Sequence, residues 1–184
     1  KVLAGKIFKY ANEDDNGGGG DGLKIIAPTQ SLVNDANESE DFNDCSYVIL
    51  YRTGGFKVIF SGDSHDATWE HILENHAAEV AECDILIAPH HGRDSGRSWD
   101  FLDVLKPRLT LFGVANSEHL AYDAWNRRGL DKVTNNQAGN VVLDINGNQM
   151  DVYVENDAYA ESRNPGNTTR NALGYRSLGY LTAS

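Results

Sequence analysis

The segment IFSGDSHDATW (Ile59–Trp69), read with ILIAPHHGRDSG (Ile85–Gly96), decides the architecture of this 184-residue chain. In both, a short apolar run stops abruptly at a polar turn containing glycine or proline. Beyond the first turn, Trp69, Ile72, Leu73, His76 and Val80 recur at helical spacing within DATWEHILENHAAEV, so an amphipathic helix of several turns follows the first strand. DILIAP is a compact apolar strand of the kind buried on both faces. Strand, helix and strand in succession define an α/β fold whose strands deliver polar residues at their C-terminal ends, the edge at which ligands bind open α/β sheets.

Upstream, SYVILYR and FKVIFSG flank a Gly-Gly turn and read as a β-hairpin. LKIIAP is a strand ending at Pro28. TQSLVNDANESEDFND reads as a polar surface loop with a brief helix near Ser31 to Asn34, and the Gly/Asp-rich ANEDDNGGGGDG as a flexible connector. Downstream, SWDFLDVLKP predicts a short helix with Ser98 as N-cap and Pro107 beyond its end, RLTLFGV a strand, and SEHLAYDAWNRRG a helix closed by Gly129. KVT, NVVLDI and QMDVYVE are strands, the last two joined at NGN. From Asn156 the pattern weakens, so the reading is one domain over residues 1–155 and a polar tail over 156–184.

A formal net charge of -11 repels phosphate backbones and argues against a generic nucleic-acid coat. It is compatible with an enzyme whose bound cations dominate the local field. No apolar run approaches the roughly 20 residues of a membrane span, and KVLAGKIFKY lacks the pattern of a signal peptide, so no membrane contact is expected. A first residue of Lys1 suggests a fragment or a processed product. Cys45 and Cys83 have no metal-clip spacing and read as free thiols, which favours a cytoplasmic setting.

Asp63 follows a strand and a turn glycine, so its carboxylate is held at the sheet rim as a bridging metal ligand requires; the alternative is a helix cap or a turn residue. His90 and His91 are adjacent imidazoles at the end of a buried strand, and each needs a partner there. A metal or a phosphate group satisfies them; the alternative is one packed and one solvated histidine. His119 sits at the first turn of a predicted helix facing the same rim. Asp44 reads as an exposed loop residue, His65 as a neighbour that supports Asp63, and His76 as packed on its helix. NGGGGDG precedes a strand and opens no helix, so a nucleotide-binding phosphate loop fails its context.

Together, NDCSYVILYRTGGFKVIFSGDS, DILIAPHHGRDSGRSWDFLDVLKPRLTLFGVANSEH and VTNNQAGNVVLDI resemble the C-terminal half of a metallo-β-lactamase-fold hydrolase. More narrowly, they are similar to the domain of ComEC-type DNA-internalisation competence proteins, over roughly Leu23 to Val154. The shared motifs are Asn-Asn/Asp-x-Ser before a strand, Gly-Asp after the next, His-His-Gly-Ser after the third and a late Gly/Asn-x-x-His. The resemblance implies an αββα sandwich with two divalent ions, zinc or manganese, hydrolysing phosphodiesters of nucleic acid or nucleotides. It assigns Asp63 as the bridging ligand, His90 or His91 to the metal site or the scissile phosphate, and His119 to the late motif. Arg93, Arg127 or Arg128 would hold an anionic substrate, with solvated surface charge as their other reading. This sequence departs from the pattern at Arg93, where the family has Ser, and at Leu120, where it has Pro. The family's N-terminal His-x-His/Asp-x-Asp-His loop is absent from these residues, so a missing N-terminal half or a partner chain is expected to complete the site. Other classes compatible with the sequence are a non-catalytic interaction module of the same fold and a lactonase or β-lactamase-type hydrolase.

Overall fold

The computed structural model describes residues 22–183; the Gly/Asp-rich connector, apart from Gly22, and the segment KVLAGKIFKY lie outside them. Nine strands and six helices are described: β1 (Leu23–Ala27), α1 (Gln30–Ser39), β2 (Val48–Thr53), β3 (Phe56–Phe60), α2 (Asp66–Val80), β4 (Ile85–Ile87), α3 (Leu102–Leu105), β5 (Leu109–Phe112), α4 (Tyr122–Asn126), β6 (Lys132–Thr134), α5 (Asn135–Ala138), β7 (Val141–Asn146), β8 (Gln149–Val154), α6 (Asp157–Arg163) and β9 (Arg176–Thr182). The fold is mixed α/β. A six-stranded sheet runs in the order β1-β2-β3-β4-β5-β6, and a second, three-stranded sheet in the order β7-β8-β9.

The β2–β3 hairpin turns at Gly54 and Gly55, whose φ values of 56° and 83° suit a two-residue turn that only glycine adopts freely. From β3 onward the pairing is parallel through β6. Strand order follows sequence order without reversal, so right-handed crossovers put every connecting helix on one face of the sheet. The other face must then be covered by something else, and the antiparallel second sheet covers it.

Side-chain alternation matches this layering. Ile59, Leu86 and Phe112 point into a core shared with Ile72, Leu102 and Trp125 of the helices. Val58, Ile85 and Leu109 point into a second core with Met150, Val152 and Val154. The strand β4 is therefore buried on both sides, as its unbroken apolar sequence requires. Trp69 stacks on Phe101 with ring centroids 4.0 Å apart, and Trp99 and Phe112 both meet Trp125 edge-on.

Four sequence expectations are corrected. Residues 30–39 form a ten-residue helix, capped by Thr29 Oγ1 accepting from Leu32 N at 3.3 Å, because Leu32, Val33 and Ala36 share one buried stripe within an otherwise polar segment. The helix expected to start at Ser98 spans only Leu102–Leu105. Trp99 and Phe101 are both buried, and positions two apart do not share a helix face. The predicted helix from Ser117 breaks into a single turn at Ser117–His119 and α4, since Leu120 is extended and bridges Arg93. The segment read as a polar tail supplies α6 and β9, the latter pairing along β8. As an edge strand with one face open, β9 keeps polar residues beside Leu178 and Leu181, which pack on the second core.

Candidate functional site

The parallel strands β3, β4, β5 and β6 end at one edge, and their loops are stitched together there. Ser61 Oγ donates to the Ile87 carbonyl, and His90 N donates to the Gly62 carbonyl at 2.9 Å. Ala121 N donates to the Gly92 carbonyl at 2.9 Å, and Asp94 N to the His119 carbonyl at 2.6 Å.

Asn43 to Ser46, on the short turn Phe42–Cys45 and the residue after it, organises the first part of this edge. Ser46 Oγ accepts from Asp63 N at 3.1 Å. Asp44 is buried, and its Oδ1 accepts from His65 N, Thr68 N and Thr68 Oγ1 at 3.1, 3.0 and 2.7 Å. Asp44 thus caps α2, and the reading of it as a solvent-exposed loop residue is corrected. It also means that Asp63 is not the cap. Among the described residues, the Asp63 carboxylate makes no hydrogen bond or ion pair, and it lies close enough to His90 and Arg97 to act on their charge.

The turn Pro89–Gly92 carries three successive left-handed residues: His90 at φ 50°, His91 at 61° and Gly92 at 82°. For a non-glycine residue that conformation costs on the order of 1–2 kcal/mol, and strain of this kind concentrates at functional sites. Gly92 needs its missing side chain, because a Cβ there would meet Phe112 Cδ2 at 2.5 Å. His91 is exposed and lies over Gly113, where a Cβ would sit 2.6 Å from its Nδ1. His119 is exposed, with Nε2 3.5 Å from Glu118 Oε1.

No local pattern in the sequence singles out Arg97, which is only 5% exposed. Its guanidinium donates to the Ser64 carbonyl, to Ser95 Oγ at 3.1–3.2 Å and, through Nη2, to His90 Nδ1 at 3.1 Å. Burial lowers its pKa from the ordinary guanidinium value, while Asp66, Asp63, Asp41 and Asp44 act in the opposite direction. Burial also pushes the His90 imidazole below its ordinary value; Asp63 opposes this, and Arg97, Arg93 and His91 add to it. Arginine has no acceptor, so the Nδ1 lone pair of His90 is the accepting partner and the neutral ring carries its proton on Nε2.

Among the described residues, the group presenting three possible metal-ligand atoms within 4.8 Å of one another is Asp41, Asp44 and His65. Asp44 already serves there as the helix cap, with three donors on one oxygen. No three of Asp63, His90, His91 and His119 meet that spacing. An open polar cleft of about 760 Å³ adjoins the edge, lined in part by Arg93, Val114, Asn116, Glu118 and Asn136. Arg128 is paired with Asp103 at 2.7 Å, tying the end of α4 to α3. A cavity of about 290 Å³ at the opposite edge is lined by Arg108, Asp131 and Arg163, all hydrogen-bonded within the fold.

Among the described residues, no helix is long and apolar enough to cross a membrane. Compared with models of known protein families and with characterised proteins, the chain matches none.

Proposed function

We propose that this chain is part of a metallo-β-lactamase-like hydrolase that works with two divalent ions, zinc or manganese, on a phosphodiester of nucleic acid or a nucleotide. The observation that carries the reading is the Asp63 carboxylate, unpaired among the described residues, on a backbone held by the bond from Asp63 N to Ser46 Oγ and close enough to the strained His-His-Gly turn to act on the charge of His90. A carboxylate that no side chain pairs with is available to a cation, as a metal ligand must be.

The groups in hand do not fit a closed two-ion centre. His90 has its Nδ1 engaged by Arg97, and Asp63, His91 and His119 form no three-ligand cluster, whereas a catalytic zinc takes three protein ligands and a water. On this reading Asp63, His91 and His119 are the ligands this chain offers, and another segment or a partner chain brings the rest. Arg93, on the cleft beside the edge, is the cation placed to meet an anionic substrate. The two free thiols suit a cytoplasmic setting.

The incomplete ligand set favours one other reading, a metal-free interaction module that retains the fold. Metal content by plasma mass spectrometry, with hydrolysis of bis(p-nitrophenyl) phosphate, DNA and RNA by the full-length protein, separates the two. About two ions per chain and turnover abolished by Asp63→Ala, with an unchanged circular dichroism spectrum, supports the hydrolase. Neither metal nor turnover leaves the interaction module.

A further inference from the structure

We propose that Arg97 is a positioning residue that fixes His90 as the tautomer protonated on Nε2, and that this N–H binds a phosphoryl oxygen of the substrate instead of the imidazole binding a metal ion. The inference rests on the hydrolase reading for the identity of the anion, but the tautomer itself follows from geometry alone.

Three observations carry it. First, the guanidinium is locked: Nε and Nη2 both donate to Ser95 Oγ, Nη1 donates to the Ser64 carbonyl, and the group lies 5.6 Å over the Trp99 ring. A donor held at four points and almost wholly buried does not swing away from His90 Nδ1, 3.1 Å distant. Second, an imidazole that binds a metal through one nitrogen carries its proton on the other and donates it to an acceptor. Here the second nitrogen faces a group that only donates, so ligation through Nε2 would set an N–H against an N–H. Third, His90 Nε2 has no partner among the described residues, and it is not among the polar atoms sealed from solvent without one. The left-handed backbone at φ 50° and the bond from His90 N to the Gly62 carbonyl fix the His90 backbone at the strand edge.

Recognition of a tetrahedral oxyanion by a neutral imidazole N–H needs no change of protonation, and the buried guanidinium polarises the ring toward donation. The same arrangement divides labour within the His-His pair, leaving His91, exposed beside Gly113, as the ring free to ligate.

Long-range 15N–1H correlation spectra of the labelled full chain at mildly alkaline pH read the tautomer directly. The expected spectrum shows His90 Nδ1 as an unprotonated, hydrogen-bonded nitrogen and Nε2 as protonated. Zinc added to the chain leaves that pattern in place, and inorganic phosphate shifts the His90 Nε2 and Hε1 resonances. Arg97→Lys retains the pattern by keeping a donor, while Arg97→Met gives a mixture of the two tautomers. A wild-type Nδ1–H tautomer, or loss of the Nε2 proton when zinc is added, overturns the proposal whatever the variants do. An unchanged His90 spectrum in phosphate overturns the anion-binding part. Absence of hydrolytic activity with the expected spectra and phosphate shifts would count against the hydrolase reading and leave the Arg97–His90 assignment standing.

Discussion

Asp44 and Thr68 form a buried side-chain pair, with Thr68 Oγ1 and Thr68 N donating to one carboxylate oxygen at 2.7 and 3.0 Å. The contact joins the turn before β2 to the first turn of α2, 24 residues later, and closes the base of the strand edge at which Asp63 sits. Asp44→Ala leaves these donors and His65 N unsatisfied, so a loss of about 1–3 kcal/mol is expected. Urea unfolding measures it, and Asp44→Asn, which retains an oxygen acceptor, loses less. Equal stability of Asp44→Ala and the parent would remove the capping role.

Gly92 has a φ of 82°, and a Cβ at this position would lie 2.5 Å from the Phe112 ring. Alanine there meets both backbone strain and a fully buried aromatic, so Gly92→Ala is expected to cost roughly 2 kcal/mol or more. Gly96 has a φ of 73° and open space around it. Gly96→Ala therefore bears the strain alone, and thermal unfolding of the two variants side by side separates strain from overlap.

Trp125 Nε1 donates to Thr110 Oγ1 at 2.8 Å, and both side chains are fully buried. Thr110→Val keeps the shape of the residue and strands the indole N–H, at a cost of about 1–3 kcal/mol. A shift in tryptophan fluorescence accompanies the loss in the unfolding midpoint. An unaltered midpoint would mean that water reaches the indole.

Burial of Glu79 raises its pKa, but hydrogen bonds from Lys24 at 2.6 Å and His76 at 2.7 Å outweigh burial and hold the carboxyl below its ordinary 4.5. A depressed folded value means that the unfolded chain takes up the proton first as pH falls. Glu79 therefore contributes stability above about 4.5, and this is lost as pH drops through the lower folded value. The stability difference between the parent and Glu79→Gln, followed by urea unfolding across that range, is expected to shrink toward zero in acid. A constant difference would show that the ion pairs add nothing.

The Cys83 thiol is buried, and desolvation with the adjacent Asp84 pushes its pKa up to about 12. Burial and Asp44 also raise that of Cys45, which is half-buried. With the thiolate suppressed, Cys83 is expected to resist a thiol reagent in the native protein and to react fully on unfolding. Mass spectrometry after brief alkylation checks it; rapid native labelling at Cys83 would indicate local opening of β4.

Sequence alone determined the elements whose pattern is local. The β2–β3 hairpin is legible because two glycines fall between β-rich runs, α2 because its apolar residues repeat at helical spacing, and β4 because an unbroken apolar triplet suits burial on both faces. The placement of Asp63 and the His90–His91 pair at strand ends was equally readable, since turn chemistry marks where a strand stops. Tertiary structure decided the rest. Helix α1 and strand β9 lie in polar segments whose few apolar residues acquire a face only when another layer covers them. The helix expected from Ser98 is shortened to α3, because Trp99 and Phe101, two residues apart, are both buried and in ring contact, and one helix face cannot bury both. The partners of Asp44 and His90 are 24 and seven residues away. Neither contact leaves a mark in local composition, because each is set by where the folded turns carry the two groups and not by a repeating spacing along the chain.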